Sequence, residues 1–200
     1  MIWIKNVDEI AQVLGLLTVS NVDANHLDIE TSFSLWSDWT AQIREQKRTI
    51  YLVGNGASAS IASHAAADLA KNAHIHTEVF TDLALITAIA NDISYRDVFS
   101  EPLKIRLVAG DMLVAISSSG QSPNILKASE TARKLGAKLV TLSAMSSGNF
   151  LVRLGDLNFY IPAQTYGVAE IGHTAIIHHW IDQAISKYQD TEGDCDKWKE

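Results

Sequence analysis

The chain is predicted to fold as an α/β protein: a three-layer α-β-α sandwich around a five-stranded parallel sheet, preceded by N-terminal helices. Three observations carry that expectation. From Thr49 onward, short apolar runs alternate with longer segments of helical period, as a parallel sheet joined by right-handed helical crossovers requires. Two of those runs open directly into loops of glycine and hydroxyl residues followed by helical patterns, namely Gly54-Asn55-Gly56-Ala57-Ser58 and Ser117-Ser118-Ser119-Gly120-Gln121-Ser122. With 200 residues, 47% hydrophobic and 20% charged, there is material for one domain with a sizeable core.

Taken in order, residues 7–17 and 31–47 are predicted helices, because Ile10, Val13, Leu14 and Leu17, then Phe33, Trp36, Trp39 and Ile43, recur at helical spacing. Residues 1–48 are therefore expected to be a helical extension packed on the domain. The Phe33, Trp36 and Trp39 stripe is assigned to core, the commoner fate of such a stripe, with an oligomer seam as the alternative. The domain proper is placed at 49–188. It is read as strand 49–53, helix 58–72, strand 77–81, helix 95–108, strand 111–116, helix 122–135, strand 138–143, a short helix at 149–154, strand 157–161 and helix 168–188. Gly136, just past Arg133-Lys134-Leu135, has the chemistry of a helix stop. Residues 189–200 are polar and expected to fray.

Composition narrows the function. A net charge of -7 without a basic cluster argues against nucleic acid as the main ligand. No run approaches the ~20 apolar residues of a membrane span, and Met1-Ile2-Trp3-Ile4-Lys5 lacks the long apolar stretch of a signal peptide. One cysteine, Cys195, has no intrachain partner, which fits a reducing cytoplasm.

The serine loop ends an apolar strand and opens a helix at about Gln121 to Asn124, so hydroxyls and orphan N–H groups would converge there on an anion. An ordinary polar loop carries the same residues, so the motif alone decides little. The second loop strengthens it, because loops after neighbouring parallel strands face one crevice at the sheet edge. Neither loop is a dinucleotide fingerprint, since GxGxxG would need glycine at Ala59, and no GK[ST] follows to make a nucleotide P-loop.

Ionisable side chains cluster on two helical segments. His64 and Asp68 are spaced i, i+4 and project from one face, as a metal or acid/base pair can and as a solvated pair also can. Glu170 and His178 are eight residues apart, about 80° around a helix, so both can serve one site. Imidazole and carboxylate together suit zinc, and His64, Asp68, Glu170 and His178 form a plausible four-ligand set.

With GNGAS and His64, Asn91-Asp92 followed by Asp97-Val98-Phe99-Ser100, ISSSGQS and the Glu170 to His178 segment in order, residues 49–185 resemble a sugar isomerase (SIS) domain. Within it they are similar to the phosphoheptose isomerases, which interconvert sedoheptulose 7-phosphate and a manno-heptose 7-phosphate. The resemblance implies a flavodoxin-like sheet, a homotetramer with active sites between subunits, and one Zn2+ per subunit. It places substrate contacts on Asn55, Gly56, Ala57, Ser58, Asn91, Asp92, Ser117, Ser118, Ser119, Ser122 and Glu170. Metal ligands fall on His64, Asp68, Glu170 and His178, the catalytic carboxylate on Asp68 and the catalytic histidine on His178.

The chain departs from that pattern in four places. Asp68 stands where Glu is usual and Glu170 where Gln is usual, Asn72 replaces a basic residue, and Gly167-Val168 replaces an Asp-Arg pair. The expected function is an aldose–ketose isomerase acting through an enediol(ate), with Asp68 as base and His178 as acid. An isomerase for a different sugar phosphate and a non-catalytic adaptor of the replication-initiator-associating type are the alternatives. Retention of the carboxylates and His178 speaks against the adaptor.

Overall fold

The structure is a computed structural model that describes residues 2–192. Its elements run α1 (Trp3–Gly15), β1 (Thr18–Ser20), β2 (His26–Leu27), α2 (Ile29–Glu45), β3 (Thr49–Gly54), α3 (Ala57–Ala73), β4 (His76–Val79) and α4 (Leu83–Asp92). A 3-10 turn (Tyr95–Asp97), α5 (Ser100–Arg106), β5 (Met112–Ser117), α6 (Pro123–Lys134), β6 (Lys138–Ala144), a second 3-10 turn (Leu151–Arg153), β7 (Leu157–Ile161) and α7 (Tyr166–Glu192) follow.

β3 to β7 form a wholly parallel sheet in the order β4-β3-β5-β6-β7, so the first of the five is flanked by the second and third. This is the flavodoxin-like winding, whose chain direction reverses between β3 and β5. Alternate residues feed two cores. Ile50, Leu52, Met112, Val114, Val140 and Leu142 pack against α2, α3 and α7, while Tyr51, Val53, Leu113, Ala115 and Leu139 pack against α5 and α6. Both faces of β3 and β5 are buried, as parallel strands between helical layers require. Phe33 and Trp36 are core: the Trp36 ring stacks on Trp180 at 4.1 Å, and Trp180 Nε1 donates to Thr40 Oγ1 at 2.9 Å.

The sheet has seven strands rather than the expected five, because residues 1–48 are not purely helical. β1 and β2 form a hairpin, and β1 pairs antiparallel with β7, capping that sheet edge. The strands are three and two residues long, too short to display a period of two. The turn between them is held by Asn21 Oδ1, which accepts from the N–H groups of Asp23 and Asn25. Three further boundaries differ. α4 occupies a segment to which the sequence assigned no element, and is started by Asp82, whose Oδ1 accepts from Leu85 N at 2.8 Å. The expected helix 95–108 is instead a 3-10 turn followed by α5, because Asp97 turns inward to Lys127, Ser94 and Ser100. α7 runs to Glu192, so four residues assigned to the tail are helical and the rest of it, with Cys195, lies outside the described residues. Among the described residues, no helix is long and apolar enough to cross a membrane.

Candidate active site

The reversal between β3 and β5 opens a cavity of about 290 Å³ at the C-terminal edge of the sheet. Asn55, Gly56, Ala57 and Ser58 line one wall, Ser117, Ser118, Ser119 and Ser122 the other, and Tyr166 and Glu170 lie at its mouth. Both loops are shaped by glycine. A Cβ on Gly54 would stand 2.5 Å from the Ser58 carbonyl carbon, so only glycine lets α3 start this close to β3. Gly120 has φ +60°, and a Cβ there would fall 2.0 Å from Asn149 Oδ1. That amide is fixed, being wholly buried, donating to Ser143 Oγ and the Ser146 carbonyl and accepting from Val152 N.

Two helices enter the cavity without side-chain caps. Gly56 precedes α3, and Ser122 precedes α6 with its hydroxyl turned to Ser117 Oγ at 3.3 Å instead of to the helix N–H groups. Uncapped N-termini and converging hydroxyls make an anion cradle with no lysine or arginine among the described residues that line it. Asn55 is tied across the cavity floor: its Nδ2 donates to Asn124 Oδ1 and its Oδ1 accepts from Asn124 Nδ2, both at 2.9 Å. The Tyr95 hydroxyl also donates to Asn55 Oδ1, at 3.3 Å. Asn124, Tyr95 and Tyr166 were not among the residues singled out from sequence. The position of Asn124 just after Pro123, at an otherwise uncapped helix start, was the one available signal.

A second, mainly apolar groove continues from this cavity between α3 and α7, lined by Ala57, Ser60, Ile61, Gly167, Glu170, Ile171, Thr174 and Ala175. One turn beyond its end stand His64 of α3 and His178 of α7, with Asp68 a further turn along α3. Their ligand atoms lie within 4.8 Å of one another. His64 Nε2 is 3.3 Å from Asp68 Oδ2, and the His64 and His178 rings meet edge-on at 5.3 Å. Two imidazoles and a carboxylate around an open face suit a catalytic zinc, which keeps a position for substrate. Three of the four candidate ligands therefore converge, whereas Glu170 lies two turns back along α7, at the junction of cavity and groove.

Asn91 and Asp92 end α4 on the exposed surface, where Asn91 Nδ2 donates to Asp92 Oδ1, and neither lines the cavity of its own chain. His179 is exposed and packs edge-on against Phe33. His173, one turn beyond Glu170, is wholly buried, and burial lowers its pKa to about 4. The Ser143 backbone opposes that shift, and neither ring nitrogen has a hydrogen-bond partner among the described residues.

A SIS domain profile matches residues 24–144. A phosphoheptose isomerase of Helicobacter pylori is 35% identical over 140 residues, covering 67% of this chain and 72% of that protein. One from Coxiella burnetii is 35% identical over 146 residues, covering 69% and 73%. Among solved structures, a phosphoheptose isomerase from Neisseria gonorrhoeae superposes with a TM-score of 0.72 at 26% identity, over 77% of this chain and 86% of that one. One from Francisella tularensis gives 0.77 at 21% identity over 92% and 94%, a likeness of fold.

Proposed function

The chain belongs to the SIS domain family, and from that membership and the site geometry we propose that it is an aldose–ketose isomerase converting sedoheptulose 7-phosphate to D-glycero-D-manno-heptose 7-phosphate. One observation carries the reading. A cationless anion cradle is joined by a continuous groove to a His-Asp-His group, and about 12 Å of helix separates Glu170 at one end from His178 at the other. An open-chain sugar phosphate with its phosphate among the serines and its carbonyl end at Asp68 has the extended form such a groove accepts. The relatives' names support the heptose.

In this reading Ser117, Ser118, Ser119 and Ser122 receive the phosphate, with Ser58 facing them, and so fix where the carbon chain lies. Asp68 takes the proton from C1 of the ketose, giving an enediol(ate), and returns it to C2. His178 moves the oxygen-bound proton from O1 to O2, completing the exchange with no net gain or loss. A zinc ion held by His64, Asp68 and His178 would supply Lewis-acid polarisation of the carbonyl. Glu170 reaches the substrate at the bend between cavity and groove.

Asn91 and Asp92 fit a substrate role through a neighbouring subunit, consistent with a homotetramer. Two apolar surfaces support assembly: Leu83 at the start of α4 is exposed and Leu85, Ile86 and Ile89 are only partly buried against the core, and Ile2, Trp3 and Ile4 at the start of α1 are exposed. A cytoplasmic location follows from the substrate class.

A specific observation favours a second reading, an isomerase for a different sugar phosphate. Where the family resemblance implies charged residues, this groove has Gly167, beside which a Cβ would meet nothing within 4 Å, and the α3 surface has exposed Asn72. A panel of ketose and aldose phosphates assayed with and without zinc tests both. Fastest turnover of sedoheptulose 7-phosphate is expected, faster turnover of another sugar phosphate would establish the second reading, and isomerisation of none would overturn both.

A further inference from the structure

The orientation of Asn55 is set by a chain of hydrogen bonds that begins outside the cavity. Ile125 N–H donates to Asn124 Oδ1 at 3.0 Å, and a backbone N–H can only donate, so the Asn124 oxygen is identified without ambiguity. With that oxygen fixed, the reciprocal pair fixes Asn55 in turn: its nitrogen faces Asn124 Oδ1 and its oxygen faces Asn124 Nδ2. Tyr95 Oη adds a second donor to the same Asn55 oxygen.

An asparagine amide offers two lone pairs and two N–H groups. Both lone pairs of Asn55 are occupied, by Asn124 and Tyr95, and one N–H is spent on Asn124. What is left for the cavity that Asn55 lines is a single N–H. Asn124 is itself closed to ligand as an acceptor, since its oxygen takes both Ile125 N–H and Asn55 Nδ2, and the residue is 2% exposed.

We infer that Asn124, assisted by Tyr95, is a positioning residue that holds Asn55 as a donor-only contact for an oxygen of the bound sugar phosphate, tying the loop after β3 to the start of α6. The inference rests on the reading that this cavity takes a sugar phosphate. Without Asn124 the Asn55 amide is free to rotate, and an oxygen turned inward would face the oxygens of the ligand instead of donating to them. The effect therefore falls on the one ligand oxygen that Asn55 meets, in the cavity it shares with the serine loop.

Dissociation constants for sedoheptulose 7-phosphate and for inorganic phosphate, measured calorimetrically on the full chain, test this in wild type, Asn124→Ala, Tyr95→Phe, Asn55→Ala and the Asn55→Ala/Asn124→Ala double variant. Asn124→Ala is expected to weaken the sugar phosphate about tenfold and Tyr95→Phe about threefold; a loss for the sugar phosphate alone puts the oxygen that Asn55 meets on the sugar, and a loss for both probes puts it on the phosphate. In the Asn55→Ala background, Asn124→Ala should cost nothing further, because it acts only through Asn55. An Asn124 effect that persists without Asn55 would make Asn124 a structural support of the helix start and overturn the inference. Should Asn124→Ala fail to fold, Tyr95→Phe alone and combined with Asn55→Ala gives the same cycle. Wild type that binds sedoheptulose 7-phosphate without turning it over refutes the phosphoheptose isomerase reading and leaves the binding cycle decisive for Asn124. Wild type that binds neither probe overturns both.

Discussion

His64 Nε2 lies 3.3 Å from Asp68 Oδ2, and the His178 ring, delivered by a different helix, meets the His64 ring edge-on at 5.3 Å. One i, i+4 pair on α3 is thus completed across the α3/α7 packing, whereas Glu170, two turns back along α7, stays outside the group. Zinc affinity should follow that division. Removal of one of three ligands by His64→Ala or His178→Ala is expected to weaken zinc at least about tenfold. Glu170→Ala should change it less than about threefold. Competition with a chromogenic chelator at constant pH reads the difference, and an equal loss at Glu170 would mean that the carboxylate swings in as a fourth ligand.

Asp68→Asn keeps the shape of the side chain and removes its capacity to accept a proton. If Asp68 is the base, kcat should fall about 10²–10⁴-fold, the usual worth of a positioned acid/base group. The dissociation constant for sedoheptulose 7-phosphate should stay within a few-fold, since the cradle lies at the other end of the groove. Because Asp68 also belongs to the metal group, turnover is measured at saturating zinc with metal content assayed alongside. Full activity of a zinc-loaded variant would remove Asp68 from the role.

The parallel core was legible in the sequence because its strands are buried on both faces and read as unbroken apolar runs, and because GNGAS and SSSGQS mark the two strand ends that flank the reversal. The β1–β2 hairpin was not legible, since five strand residues carry no periodicity and their role is to cap the edge of β7. α4 was missed for another reason: apolar residues fill most positions from Leu83 to Ala90, so the face that packs on the core, Leu85, Ile86, Ile89 and Ala90, does not stand out as a stripe, although Asp82 marked its start. At the site, i, i+4 spacing correctly paired His64 with Asp68. Angular position around α7 could not tell that Glu170 and His178 serve opposite ends of one groove, because an 80° separation is silent about the eight residues of rise between them. Asn124 was invisible for want of its partner, 69 residues away.

Gly120 should be intolerant of even a methyl group. Its φ of +60° penalises any L side chain, and the added Cβ would overlap an Asn149 amide that three hydrogen bonds hold in place. Together these should cost about 2–4 kcal/mol in Gly120→Ala. Gly148→Ala is the matched control, with nothing within 4 Å of the new Cβ, and should stay within about 0.5 kcal/mol of wild type. Urea unfolding compares them, and a Gly120→Ala protein as stable as wild type would show that the serine loop is not held against Asn149.

Acid should destabilise the fold through His173 before it reaches the carboxylates. The folded pKa is lowered by burial from 6.5 to about 4, so the unfolded chain binds a proton that the native state refuses. The stability due to neutral His173 is complete above pH 6.5 and is lost as pH falls from 6.5 toward 4, at up to about 1.4 kcal/mol per unit. Asp97 acts lower. Hydrogen bonds from Lys127 and Ser94 depress its pKa from 3.8 to about 2, so its contribution is present above 3.8 and lost only as pH falls through about 2. The two windows do not overlap. Urea unfolding at intervals from pH 7 to 4.5 should therefore show a slope about one proton steeper in wild type than in His173→Gln. Parallel slopes would mean that His173 takes up its proton without unfolding, through a partner that the native packing does not supply.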